Sequence, residues 1–301
     1  MPQGTVLGPL LFLLHINDIV SAVDPSTKCR LFADDCLLYR TVKTPEDQPQ
    51  LQRDLTSMEK WADNWGMRFN ASKCHIMTIG RGQKHDRMYS LCNSILKGVS
   101  QEKYLGVLIS DNLSWAPHIQ NVATAASQKL GFLKRNLKGS PQDLKKLAYI
   151  TTVRSSLEYA AVIWDPHQTG HKNQLEDIQK KAARWIKNDQ GRFSSVTAML
   201  DELGLEPLEE RRRVSRLTFM YKILHSNVTV PESEMGISRN SRAVRGLYTT
   251  DKLTIPTVNT KELRNHFTAR TIPEWNKLYE DKTSAKTPKA FKELLTKSQK
   301  P

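Results

Sequence analysis

A chain of 301 residues has room for two or three modest domains with real cores, and its formal net charge of +14 sets up a field that attracts polyanions. Nucleic acid is the first candidate and an anionic membrane surface the second. No apolar run reaches the length of a membrane span and the start lacks a basic secretory n-region. Cys29, Cys36, Cys74 and Cys92 show no C-x-x-C spacing. A transmembrane protein, a disulfide scaffold and a zinc knuckle are thereby disfavoured, and an intracellular chain, nuclear or cytoplasmic and without a membrane partner, is expected.

In chain order, Pro2-Gln3-Gly4-Thr5-Val6-Leu7-Gly8-Pro9 reads as a loop leading into a helix, with Pro9 in its first turn. Leu10 to Val20 is apolar on nearly every side until Asn17, which predicts a buried helix. Asp24-Pro25-Ser26-Thr27 is a turn. Leu31-Phe32-Ala33-Asp34-Asp35-Cys36-Leu37-Leu38-Tyr39 then sets two strand-like apolar runs around adjacent carboxylates, the pattern of a β-hairpin with Asp34 and Asp35 at its tip. Two like charges beside apolar strands call for a compensating cation, and Mg²⁺ prefers such oxygens. A solvated Asp-Asp turn is the alternative.

Thr44-Pro45-Glu46-Asp47 looks like a helix start with Thr44 as the cap; Leu51, Leu55, Met58, Ala62 and Trp65 follow at helical spacing, and Gly66 ends the helix. Lys73 lies at a loop–strand junction. Short strands follow, among them Tyr104-Leu105-Gly106-Val107-Leu108-Ile109.

Pro117 opens a helix with Ile119, Val122, Ala126, Leu130, Leu133 and Leu137 on one face and Lys134, Arg135 and Lys138 in its last turns. A second helix from Ser140-Pro141 should carry Lys145 and Lys146 outward. A third, near 172–187, adds Lys180, Lys181, Arg184 and Lys187. Together these predict a small bundle with a basic, phosphate-tracking side. His167 and His171, four apart around Thr169-Gly170, make a poor metal pair. A helix is expected over 207–224, with the run Arg211-Arg212-Arg213 and Arg216. The stretch 228–260 reads as loop-rich, order returns around Phe267 and Trp275, and the tail carries one apolar patch, Phe291, Leu294 and Leu295.

Four stretches in order, Pro2-Gln3-Gly4-Thr5-Val6-Leu7-Gly8-Pro9-Leu10-Leu11-Phe12, Phe32-Ala33-Asp34-Asp35, Asn70-Ala71-Ser72-Lys73-Cys74 and Tyr104-Leu105-Gly106-Val107, resemble the reverse transcriptase of non-LTR retrotransposons of the jockey-like and chicken-repeat-like kinds. Trp115-Ala116-Pro117-His118-Ile119, Leu175-Glu176-Asp177-Ile178-Gln179 and Arg264-Asn265-His266-Phe267…Trp275-Asn276 resemble that family's thumb and C-terminal segments. The resemblance implies an α+β fold: a partial polymerase palm over 1–80, a primer-grip-like strand region over 81–115, a helical thumb over 116–190 and a helical, loop-rich domain over 191–301.

The resemblance also implies RNA-templated DNA synthesis by two-Mg²⁺ phosphoryl transfer, with RNA template, DNA primer and dNTP as partners. Asp34 matches the family's metal-binding catalytic carboxylate and Asp35 its neighbour in the metal site, which contributes less directly, and Lys73 matches a lysine that protonates or neutralises the departing pyrophosphate. Gln3 and Gly4 match the loop beside the incoming nucleotide and template, and Phe32 the Tyr-or-Phe position before the catalytic pair, counted with them as substrate-binding. Tyr104, Leu105 and Gly106 match the strand that grips the primer end. Lys134, Arg135, Lys138, Lys145 and Lys146 would hold the heteroduplex through phosphates, reading A-form shape.

In the family a further aspartate precedes the Pro-Gln-Gly loop, as do the fingers and an endonuclease. A chain starting at Met1-Pro2-Gln3-Gly4 is therefore expected to be an N-terminally truncated polymerase, binding Mg²⁺ poorly and inactive alone. It should also leave an exposed sheet edge and apolar face. The competing expectation is a non-catalytic nucleic-acid-binding remnant or a pseudogene product.

Overall fold

The structure is a computed structural model that describes residues 4–44, 46–80, 88–239, 252–278, 283 and 285–297. The fold mixes helices with small sheets, the α+β class. The chain forms two units, Met1–Tyr104 with Ile109–Asn112, and Leu105–Leu108 with Leu113–Pro301.

The first unit opens with α1 (Leu7–Ile16), where Val6 before the helix offers no side-chain acceptor and the Thr5 hydroxyl accepts the Gly8 N–H at 3.1 Å instead. A 3₁₀ turn (Asn17–Ala22) leads to the antiparallel hairpin β1 (Lys28–Phe32) and β2 (Asp35–Tyr39). Next is α2 (Asp47–Asn64). Its start differs from the expected Thr44 cap. Asp47 accepts the backbone N–H groups of Lys43 and Thr44, each at 2.9 Å, so the first helical residue caps the turn before it. Gly66, at φ +65, ends the helix as its position suggested. Small strands follow: β3 (His75–Ile76) parallel to β6 (Lys97–Gly98), and the hairpin β4 (Ser90–Leu91) with β5 (Ser94–Ile95), before β7 (Gln101–Tyr104) and β8 (Val107–Ser110).

Two small apolar clusters hold this unit. Ile16, Ile19, Val23, Cys29 and Met58 form one, and Tyr89, Leu91 and Leu96 the other; Phe69 packs against both. Buried Asp54 accepts hydrogen bonds from the Asp24 N–H (3.0 Å), the Thr27 hydroxyl (2.5 Å) and Gln50 Nε2 (3.1 Å), fixing the turn that feeds β1.

The buried first helix is a correction. Leu7, Leu10, Leu11, Leu13 and Leu14 are all exposed, and only Gly8 and Ile16 of α1 are buried. A helix apolar on every side needs two covering surfaces, and among the described residues only the Phe12–Ile16 side finds one.

The second unit is helical. It contains α3 (Ala116–Asn136), α4 (Gln142–Ala148), a π-helical stretch (Tyr149–Arg154), α5 (Ser155–Glu158), α6 (Ala161–Trp164) and α7 (Thr169–Lys187). It continues through α8 (Val196–Glu202), α9 (Leu208–Leu224), α10 (Lys261–Arg264), α11 (Phe267–Trp275) and α12 (Pro288–Lys297). One core runs through Ile119, Ala126, Leu130, Tyr149, Leu157, Trp164, Leu175, Ala182 and Leu208. A second joins Leu217, Met220 and Tyr221 of α9 to Ile272, Trp275, Phe291 and Leu295. The apolar patch of the tail is thus packed, with the Phe291 ring stacked on Tyr221 at 4.7 Å. Of the expected loop over 228–260, residues 240–251 lie outside the described residues.

Candidate active site and nucleic-acid interface

Strand alternation decides what the β1–β2 hairpin presents. Cys29, Leu31, Cys36 and Leu38 share its inner face and pack on the first cluster, with the Cys29 and Cys36 sulfurs 3.6 Å apart. Hydrogen bonding between the thiols holds Cys29 below the usual thiol range and pushes Cys36 above it. Phe32 pairs with Asp35, so Ala33 and Asp34 form the two-residue turn. Ala33 sits at φ +50, a left-handed conformation that costs a Cβ-bearing residue about 1–2 kcal/mol. Phe32, Asp34 and Asp35 are all exposed at this tip.

Tyr104, the last residue of β7, belongs to the same neighbourhood. Burial raises its phenol above the usual range, and the Asp35 charge adds to the effect. Gly4 is exposed at φ +83 in the loop before α1, while Gln3 lies outside the described residues. Lys73 ends a 3₁₀ turn (Ala71–Lys73) whose preceding residue, Asn70, accepts the Ser72 hydroxyl at 2.6 Å. It is exposed, and among the described residues no ion pair joins it to Asp34 or Asp35. Leu105 (φ +46) and Gly106 (φ +83) make the turn between β7 and β8.

As donors, Asp34 and Asp35 have the hard-oxygen chemistry that Mg²⁺ takes. Among the described residues, however, no group of three or more metal-ligating side chains occurs. These residues fit part of a Mg²⁺ ligand set.

The basic residues divide. Arg135 is exposed on α3 and Lys138 is exposed in the turn just past its end. Lys134 is half-buried; its ammonium titrates below the usual range, through burial first and the like charge of Lys181 on α7 second. Arg135 and Lys181 line a groove of about 610 Å³ between α3 and α7, with Gln120, Thr124, Ser127 and Gln174. Lys146 is partly exposed. Lys145 is not outward: it is 0% exposed, its Nζ donates to Asn188 Oδ1 at 2.7 Å, and it lies 5.8 Å from the centroid of the Trp185 ring. Its charge is used inside the bundle, so Lys145 is withdrawn from the phosphate-facing set.

The arginine run on α9 is likewise absorbed internally. Buried Asp165 receives Arg212 Nε at 2.8 Å, Arg216 Nε at 2.9 Å and Arg270 at 2.9 Å, and Glu274 takes Arg213 and Arg216. Arg211 pairs with Glu158. Asp165 has no sequence signal, because its partners lie 47 to 105 residues away.

Residues 1–109 match the reverse transcriptase (RNA-dependent DNA polymerase) family. The chain is 28% identical over 233 residues to the probable RNA-directed DNA polymerase from transposon BS of Drosophila melanogaster, covering 73% of this chain and 25% of that protein. It is 26% identical over 198 residues to the RNA-directed DNA polymerase from mobile element jockey of the same organism, covering 62% of this chain and 21% of that protein. A third relative, the probable RNA-directed DNA polymerase from transposon X-element, is 26% identical over 194 residues, with 62% and 21% covered. The non-LTR retrotransposon resemblance therefore holds, and it runs past residue 109 into the helical unit. The chain spans a fifth to a quarter of the length of these relatives. No solved structure matches it. No helix among the described residues is long and apolar enough to cross a membrane.

Proposed function

We propose that this chain is the part of an RNA-directed DNA polymerase running from the catalytic hairpin to the helices that hold the nucleic acid. Its residues 1–80 would be partial palm, 81–115 primer-holding strands, 116–190 thumb and 191–301 a C-terminal domain. The observation that carries the reading is the hairpin register: it projects Asp34 and Asp35 from an exposed, strained tip inside a segment that matches the reverse transcriptase family.

In this reading Asp34 and Asp35 hold Mg²⁺, which when bound supplies positive charge to the phosphoryl oxygens and acidifies a coordinated hydroxyl. Lys73 gives a proton to the departing pyrophosphate oxygen. Gln3, Gly4 and Phe32 face the incoming dNTP, and Tyr104, Leu105 and Gly106 the primer end. Lys134, Arg135, Lys138, Lys146 and Lys181 track the phosphates of the template–primer heteroduplex. With two carboxylates and no third ligand nearby among the described residues, this chain alone binds primer–template and does not extend it.

Fluorescence anisotropy with an RNA–DNA hybrid across a salt series tests the binding half. We expect affinity that falls as salt rises, weakens on Lys138→Glu and survives Asp34→Asn. Binding indifferent to salt and to Lys138→Glu would overturn it.

A further inference from the structure

The tip of the β7–β8 hairpin belongs to the helical unit, and a closed ring of contacts holds it there. The Tyr159 hydroxyl, just past α5, donates to the Leu105 carbonyl at 3.0 Å. The Tyr159 carbonyl accepts the Trp164 indole N–H at 2.9 Å. The fully buried Trp164 ring meets His118 edge-on, centroids 5.2 Å apart, and His118 Nδ1 accepts the Leu108 N–H at 3.1 Å. Leu105 in the turn and Leu108 in β8 are thus both tied to the bundle.

The turn itself shows why it needs this support. Leu105, a branched side chain, is held at φ +46 and Gly106 at φ +83. A Cβ built on Gly106 would stand 3.0 Å from Tyr159 Cε1, so the tyrosine ring lies directly on the glycine backbone. Glycine is required there twice over, by its conformation and by the approach of Tyr159. The hydroxyl holds the Leu105 carbonyl while the ring covers one side of Gly106.

We infer that Tyr159 is the positioning residue for the Leu105–Gly106 turn and, through that turn, for the primer 3′ end. The inference rests on the proposed reading of the turn as the primer contact. Tyr159 acts through the turn, with Trp164 holding Tyr159 and His118 holding β8, the strand that leaves the turn.

The test compares affinity for a recessed primer–template with affinity for a continuous duplex of the same length, by anisotropy on the full chain. Wild type is expected to prefer the recessed end. Tyr159→Phe, which keeps the ring and loses one hydrogen bond, should cut that preference by about threefold. Tyr159→Ala should cut it by about tenfold while affinity for the continuous duplex stays level. A residue that merely stabilises the fold would lower both affinities together. Gly106→Ala should harm the preference more with Tyr159 present than in the Tyr159→Ala background. An undiminished preference in both Tyr159→Phe and Tyr159→Ala overturns the inference and leaves the proposed function standing. A wild-type chain that binds hybrid without preferring the recessed end overturns the turn as a primer contact, and the inference with it.

Discussion

The two units bury their apolar surface in opposite ways. The helical unit gathers its large side chains into two extended cores and pairs three arginines with one buried aspartate. The sheet-bearing unit divides its apolar residues between two small clusters, pairs its described strands only two by two, and leaves most of α1 in solvent. Stability follows from contact with many neighbours, and chemistry from side chains left open to a substrate. The extended cores belong to the helical unit, and the exposed carboxylates to the unit with the smaller clusters.

The largest expected effect lies in the helical unit. Asp165→Ala strips the shared partner from Arg212, Arg216 and Arg270 and leaves buried cations uncompensated, at a cost of about 3–5 kcal/mol. Urea denaturation monitored by tryptophan fluorescence reads this directly. A loss below about 1 kcal/mol, the range of exposed ion pairs, would show that the cluster is not a buried one.

Truncation sharpens the contrast between units. Leu175, fully buried in α7, should cost about 2–5 kcal/mol as Leu175→Ala. Leu14, 77% exposed on α1, should change stability by no more than about 0.5 kcal/mol as Leu14→Lys. Equal losses in the two variants would break the comparison.

The two neighbouring lysines of α4 give a smaller and more specific contrast. Lys146→Gln should reduce the slope of log affinity against log salt for the hybrid by about one unit, the share of a single phosphate contact. Lys145→Met should leave that slope unchanged and alter only stability, because its ammonium is spent on Asn188. A slope change in Lys145→Met would return it to the binding surface.

The two units also answer acid differently. Burial holds His266 below its ordinary value of 6.5, so the folded chain binds fewer protons there than the unfolded one. Its contribution is complete above pH 6.5 and is lost as pH falls through the lower folded value. In the first unit, Ser26 hydrogen bonds foremost hold Asp24 low, and backbone N–H groups of Thr44 and Lys43 do so for Asp47. Their contribution persists down to the ordinary carboxylate value of 3.8 and fades only below it. Hydrogen exchange against pH should show the helical unit weakening first, with His266→Gln removing part of that early loss.

What could be read from the sequence was local. The periodic apolar residues of 117–137, 172–187 and 207–224 are enough to specify α3, α7 and α9, and the carboxylates between two strand-like runs are enough to place Asp34 at a hairpin tip. Lys145 and Lys146 look alike in sequence, since what separates them is Trp185 and Asn188, some forty residues away on and just past α7. Still longer separations hide Asp165 among its arginines and Tyr159 over Gly106. The all-apolar face of α1 was visible, but sequence cannot say whether a helix has enough neighbours to cover it.

Primer extension by this chain, with an RNA template, a DNA primer, dNTPs and Mg²⁺, tests the central claim most directly. The expected result is binding of the primer–template without nucleotide addition, because Asp34 and Asp35 have no third metal-ligating side chain beside them among the described residues. Nucleotide addition that Asp34→Asn abolishes would contradict it.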